Sequence, residues 1–232
     1  PFALWVRETP GPRRPLRLGA AMSQLGRLLA SLPRRPSLSA WLASSMLLRD
    51  ALNALYAFGG VFAGTVLGWP VFLAGVFGVV SAVSATLVSW IGGRADRRWG
   101  PKPVIIACAL VLTAVCTLVT GMSRQSIFGL PLPPDSKLPD GLFFLCGALI
   151  GGAGGALQAA GRTMMVRHAT PARATEAFGL YALSGKATAF LAPALIALAT
   201  TATGSQSLGV FPLIVMFLLA LVLLVWVKAK GE

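Results

Sequence analysis

Charge is scarce in this 232-residue chain: 12% of its residues are Asp, Glu, Lys or Arg, about half the share of an ordinary soluble domain. Acid is scarcer still, with 7 Asp and Glu against 20 Lys and Arg. There is one histidine, His168, and there are three cysteines, Cys108, Cys116 and Cys146, each inside an apolar run. The sequence therefore shows neither paired carboxylates nor clustered metal ligands, and it gives no basis for a hydrolytic or metal-dependent site. An odd, apolar-embedded cysteine set argues against a disulfide framework, so these read as small core residues. His168, beside Arg167, reads as a solvated loop residue rather than a proton relay. No cofactor is implied. Strand-length polar–apolar alternation is also missing.

What the chain has in quantity is apolar surface, at 56% hydrophobic residues and a mean hydropathy of +0.76. The apolar residues fall into six stretches near spanning length, roughly 38–67, 70–91, 102–121, 141–163, 175–200 and 209–227. Runs this long must satisfy their backbone internally, so helices are expected. The fold class is all-α polytopic membrane protein with six transmembrane helices. A large soluble helical core is the competing reading, but it would carry more charge.

The net charge of +13 resembles a nucleic-acid signal until the charges are placed. Sixteen of the 20 basic residues precede the first span, follow the last, or border the loops 92–102 and 162–173. The opposite side holds Arg124 and Lys137. Basic residues gather on the cytoplasmic side of short loops, so both chain ends are expected there, in a bacterial inner membrane. The lipid bilayer is the partner and nucleic acid is not.

Residues 1–37 read as a cytoplasmic linker, ahead of a six-helix domain over 38–232. PFALWVRETP resembles the end of a preceding span. Leu18, Met22, Leu25, Leu29 and Leu32 then recur at helical spacing, as in an interfacial amphipathic helix. A partner-binding helix is the alternative. The Arg34-Arg35 pair also resembles a targeting signal, although retention of basic clusters in the cytoplasm explains it equally.

The most specific local pattern is Gly92-Gly93-Arg94-Ala95-Asp96-Arg97-Arg98-Trp99-Gly100-Pro101-Lys102. Glycines permit a tight turn and close helix approach. Asp96 can accept bonds from arginines or from a helix N-terminus. The pattern resembles the loop signature of the major facilitator superfamily, with Pro101 standing within its basic end. That resemblance implies a conformational latch built from Gly93, Asp96, Arg97, Gly100 and Lys102. The alternative is a positively charged loop that happens to hold one aspartate.

In the fourth span, Gly147, Gly151 and Gly155 repeat every four residues, which suits close helix packing. Gln158 is the one polar side chain deep on it, read either as lining a solute path or as an interhelical hydrogen bond. Two further charged spots lie about 12–18 Å into their spans at ~1.5 Å per residue: Arg49-Asp50 and Lys186. Buried charge in a membrane usually faces a polar cavity or a partner. Asn53 and Tyr56 extend the first stripe at helical spacing, and Pro193 invites a bend beyond Lys186. These residues predict a midplane site for substrate or proton coupling, in which Asp50 and Lys186 pair. A fixed structural pair, or a local Arg49–Asp50 pair, would also account for them.

The stretches LRDALNALYAFGGVFAG and EAFGLYALSGKATAFLAPAL are similar to the seventh and eleventh helices of the vacuole-effluxer branch of that superfamily, the autophagy-related permeases and their bacterial relatives. The resemblance covers most of residues 38–227 and corresponds to the C-terminal half of such a transporter. It implies a secondary active permease that moves a small polar solute, an amino acid among the candidates, by alternating access. It also implies a missing N-terminal six-helix half of the same protein as partner. The remaining alternatives are a non-transporting scaffold or inactive half, and a membrane-embedded enzyme.

Overall fold

Helices account for nearly all of the computed structural model, which describes residues 35–133, 136–169, 174–229 and 231. The expected interfacial helix and the preceding span end lie outside the described residues. In chain order the helices are α1 (Pro36–Thr65), α2 (Val71–Trp99), α3 (Pro101–Thr120), α4 (Leu138–His168), α5 (Ala174–Ala187), α6 (Leu191–Thr203) and α7 (Phe211–Val225). A two-residue antiparallel ladder between β1 (Ser126–Ile127) and β2 (Leu130–Pro131) caps the α3–α4 connection.

Among the described residues, five helices are long and apolar enough to cross a membrane: α2, α3, α4, the Ala177–Thr203 stretch that joins α5 to α6, and the Leu208–Val225 stretch containing α7. α1, at 30 residues, has the length. Its serines, Arg49, Asp50 and Asn53 make it less apolar than the other five. The chain is therefore an integral, multi-pass, all-α membrane protein.

Contacts at the two ends fix an alternating up-and-down arrangement. At the basic end, the start of α1 meets the end of α4 and the residues after α7. Ser37 Oγ lies 2.9 Å from His168 Nε2 and accepts the Lys228 backbone N–H at 2.8 Å. Lys102 Nζ donates to the Val227 carbonyl at 2.7 Å, and Arg167 Nη1 to that of Ala229 at 3.0 Å. At the other end, Asp140 accepts from Trp69 Nε1 and Arg124 Nη1 at 2.6 and 2.7 Å, and Ser207 Oγ donates to the Met122 carbonyl.

Two sequence expectations change here. His168 is no solvated loop residue: α4 runs through it, and it is buried, with Nδ1 3.0 Å from the Met164 carbonyl oxygen. The 92–102 pattern is mostly helical, because α2 continues to Trp99. Only Gly100 makes the turn, at φ +88°, and Pro101 starts α3, where its missing N–H is not needed.

Of the α4 glycine repeat, Gly151 and Gly155 pack against the backbone of α2, and Gly147 makes room for the Phe77 ring. A Cβ at Gly151 would collide with the Ser81 carbonyl, and one at Gly155 with Ser89 and Ala85. Ser81 and Ser84 hydroxyls close the seam by donating to the Gly147 and Ala148 carbonyls at 2.9 and 2.6 Å. Small residues at such crossings let dispersion and hydrogen bonds replace the hydrophobic force that lipid removes. Gly151→Ala must push backbone against backbone, a destabilisation of about 1–3 kcal/mol. Thermal denaturation in detergent should show a lowered midpoint for it and little change for Gly141→Ala, where the added methyl meets open space.

Candidate functional site

The midplane residues come together through a break in the fifth span. α5 ends at Ala187 and α6 begins at Leu191, with tightened turns between them, such as Leu191 N–H to the Thr188 carbonyl at 2.8 Å. The cause is Pro193, whose ring clashes with the carbonyl four residues back, at Ala189, and which offers no N–H to it. The bend thus lies immediately before the proline, next to Lys186.

Arg49 projects from α1 onto α5. Its Nη1 donates to the Tyr181 carbonyl at 2.7 Å, and its guanidinium carbon lies 4.3 Å from the centroid of the Tyr181 ring. The guanidinium is seated against Gly185, where any Cβ would overlap it. Tyr181 is held in turn by stacking on Trp41, at 6.3 Å between centroids, and its carbonyl also accepts from Ser184 Oγ at 2.8 Å. Arg49 is therefore a fixed cation, locked by one hydrogen bond and one cation–π contact.

A cavity of about 290 Å³ opens beside it, lined by Arg49, Asn53, Gln158, Arg162, Tyr181 and Lys186 among others. Lys186 lies 12 residues from the start of α5 and Arg49 13 from the start of α1, so both sit about 18–20 Å in at 1.5 Å per residue. Neither Arg162 nor Lys186 makes an ion pair with a described residue; Arg124–Asp140, far away, is the ion pair formed among the described residues.

Asp50 goes elsewhere. Its Oδ2 accepts the Ala192 backbone N–H at 3.1 Å, which caps the first turn of α6, and only 1% of the residue is exposed. Oδ1 is buried without a partner among the described residues, as is the Thr188 hydroxyl at the helix break. Neither the expected Asp50–Lys186 pair nor a local Arg49–Asp50 pair forms among the described residues. The physical reason is that neighbouring residues on a helix point about 100° apart. Arg49 faces the cavity while Asp50 faces α6.

Tyr56 also leaves the cavity. Its hydroxyl faces Gln158 and lies against Gly154, and the ring lines a neighbouring groove between α1, α2 and α4. Arg162, by contrast, joins the site although its charge reads as a loop charge. α4 continues past it to His168, and it stands one turn from Gln158 at i+4. That spacing was the signal in the sequence that could have found it. Among the described residues no cluster of three or more His, Cys, Asp or Glu side chains could hold a metal ion.

The latch residues lie at the basic end. Gly100 packs against the Arg167 guanidinium, where a Cβ would come within 3.1 Å of Nη1. The Gly100 N–H donates to the Asp96 carbonyl at 2.8 Å. Lys102 holds the chain after α7. Arg97 is exposed, Gly93 has open space where a Cβ would stand, and Asp96 Oδ1 is buried without a partner among the described residues.

The family model described as "Vacuole effluxer Atg22 like" matches residues 1–231. The uncharacterized MFS-type transporter YxiO of Bacillus subtilis (strain 168) is 33% identical over 151 residues, which is 65% of this chain and 32% of that protein. Autophagy-related protein 22 of Coccidioides immitis (strain RS) is 24% identical over 223 residues, 88% of this chain and 36% of its own length. Autophagy-related protein 22-2 of Sclerotinia sclerotiorum (strain ATCC 18683 / 1980 / Ss-1) is 24% identical over 225 residues, 88% of this chain and 32% of that protein. The chain spans about a third of the length of the curated relatives it matches. With residues 1–231 matched by the family model and five helices long and apolar enough to cross a membrane among the described residues, the chain belongs to the vacuole effluxer Atg22-like family of major facilitator transporters, a class of permeases rather than enzymes.

Proposed function

We propose that this chain forms one half, the C-terminal six-helix half, of a secondary transporter that moves a small polar solute by alternating access. The solute carries a carboxylate, as an amino acid does, and binds in the cavity beside Arg49 and Lys186. The basic end of the bundle faces the cytoplasm of a bacterial cell, and the 93–102 latch stands at that face.

One observation carries this reading: a cavity bearing Arg49, Arg162 and Lys186 opens within helices that are otherwise apolar. Asn53, Arg162 and Lys186 are exposed on one side of the bundle. Side chains of that kind at membrane depth are too costly to leave against lipid. A second six-helix half of the same protein, closing over this face, gives them a water-filled or substrate-filled path instead. The share of the relatives that the chain matches leaves length for such a half.

The test is solute counterflow in proteoliposomes that hold the intact protein. Lys186→Ala should abolish exchange of a solute that the unaltered protein moves, with membrane expression and elution profile retained. Unchanged exchange in the variant would sink the assignment of the site.

A further inference from the structure

The basic end of α2 carries a pattern that the cavity does not use. Trp90, Arg94, Arg98 and Trp99 are all exposed there. The Arg94 guanidinium carbon lies 3.3 Å from the centroid of the Trp90 ring, and that of Arg98 lies 5.6 Å from the Trp99 centroid. At 3.3 Å the guanidinium rests on the indole face. A guanidinium held by its flat side keeps its N–H edge free for an oxyanion. Arg94 and Arg98, four residues apart, are neighbours on the helix surface.

Their height in the membrane follows from the sequence. The apolar run 70–91 ends at Trp90-Ile91, so Trp90 stands where hydrocarbon gives way to headgroups, the usual place for tryptophan. Arg94 comes four residues later, about 6 Å further out at 1.5 Å per residue. A headgroup layer adds roughly 5–7 Å to each side of the hydrocarbon core, so Arg94 reaches phosphate level.

The flank of α2 that bears these residues is turned away from the cavity. Gly78 and Ala82 line the groove beside Tyr56, which shares its exposed face of α1 with Asn53 of the cavity. With Gly75 they offer small residues to a close helix neighbour, so the second half proposed above belongs on that flank. Val79, Val83 and Leu87 are exposed about 100° further round the helix, in line with Trp90 and Arg94. Bulky apolar side chains beneath a tryptophan and an arginine suit lipid tails.

We infer that this flank of α2 seats one anionic phospholipid. Its phosphodiester lies between Arg94 and Arg98, its glycerol region beside Trp90, and an acyl chain along Leu87, Val83 and Val79. Attraction of anionic lipid to a basic membrane face is otherwise diffuse and depends on charge alone. A seat depends also on the indole that fixes Arg94 and on the apolar stripe below it. The inference concerns lipid and is independent of which solute the cavity takes.

The experiment is native mass spectrometry of the intact protein, titrated with dioleoylphosphatidylglycerol, dioleoylphosphatidylcholine and glycerol 3-phosphate. The first equivalent of phosphatidylglycerol should bind about tenfold more tightly than phosphatidylcholine, and glycerol 3-phosphate should bind more weakly still. Arg94→Gln with Arg98→Gln should remove that preference, and Trp90→Leu should weaken phosphatidylglycerol severalfold although no charge changes. All three side chains are exposed, so these changes leave the packed interior alone. Lys228→Gln, which removes an exposed cation at the same end, should leave binding within about twofold. Equal losses from Lys228→Gln and from Arg94→Gln would show diffuse attraction and overturn the seat. Phosphatidylcholine matching phosphatidylglycerol overturns the charge selection, and glycerol 3-phosphate matching it shows a phosphate site without a lipid. Unchanged binding by Trp90→Leu also overturns the inference, since the stacked arginine is its centre.

Discussion

Gly185→Val should reduce transport by roughly a hundredfold while the protein still folds and inserts. Among the described residues no other glycine stands so close to a charged side chain that lines the cavity. A Cβ at position 185 would overlap the Arg49 guanidinium itself, so the arginine must leave. In leaving it gives up a 2.7 Å bond to the Tyr181 carbonyl and its place over the Tyr181 ring. A charged hydrogen bond contributes about 1.5–3 kcal/mol and a cation–π contact about 0.5–2, which together suffice for two orders of magnitude. The cost falls on binding because Arg49 is only half-buried and can swing toward the open face. Counterflow at low solute concentration reads the loss. A double-mutant cycle then separates displacement of Arg49 from a general packing defect. In an Arg49→Met background, Gly185→Val should add little. Full additivity of the two losses would show that Gly185 acts some other way.

Much of this arrangement was legible in the sequence. Long apolar runs broken by glycine, proline and basic residues define the helices, and the sidedness of the charges orders them. The cavity follows from equal depths of Arg49 and Lys186 on two spans that run the same way. What the sequence hid is direction around a helix axis. Arg49 and Asp50 are adjacent letters, yet one lines the cavity and the other caps α6. Asn53, four residues on from Arg49, stays with it, whereas Tyr56 turns toward α4. A sequence also cannot rank its glycines. Gly179 and Gly185 belong to the same motif, but an added Cβ meets nothing at the first and a guanidinium at the second. His168 was hidden for a related reason: α4 overshoots the apolar run 141–163 by five residues and turns an apparent loop residue into a buried one. Arg162, at the end of that run, reads as a boundary charge until its place one turn from Gln158 is noticed.

The carboxylate that left the cavity should be the one that carries coupling. Asp50→Asn keeps a side-chain oxygen in reach of the Ala192 N–H, and so keeps the cap at the start of α6, but it has no charge to gain or lose. Asp50→Ala removes the acceptor and leaves a buried backbone N–H unpaired, a cost of about 1–3 kcal/mol. It also removes an anion from a helix N-terminus, where such charge contributes about 0.3–2 kcal/mol. The alanine variant should therefore melt at a lower temperature, and the asparagine variant close to the unaltered protein. Transport divides them differently. If a proton on Asp50 drives uphill movement, Asp50→Asn should exchange solute across proteoliposomes at near-normal rate yet fail to accumulate it under an imposed pH gradient. Accumulation retained by Asp50→Asn would place coupling on another residue and leave Asp50 as a cap alone. If Asp50 couples transport to protons, the break between α5 and α6 is the route. Asp50 holds the break between α5 and α6, the short segment that follows Lys186. A proton on Asp50 would leave the Ala192 bond in place but remove the charge–dipole part of its hold on the start of α6, next to the α5 segment that carries Gly185 and Lys186. Charge at the cap and charge in the cavity are separate on α1, one residue apart, and the broken helix is the element that joins them.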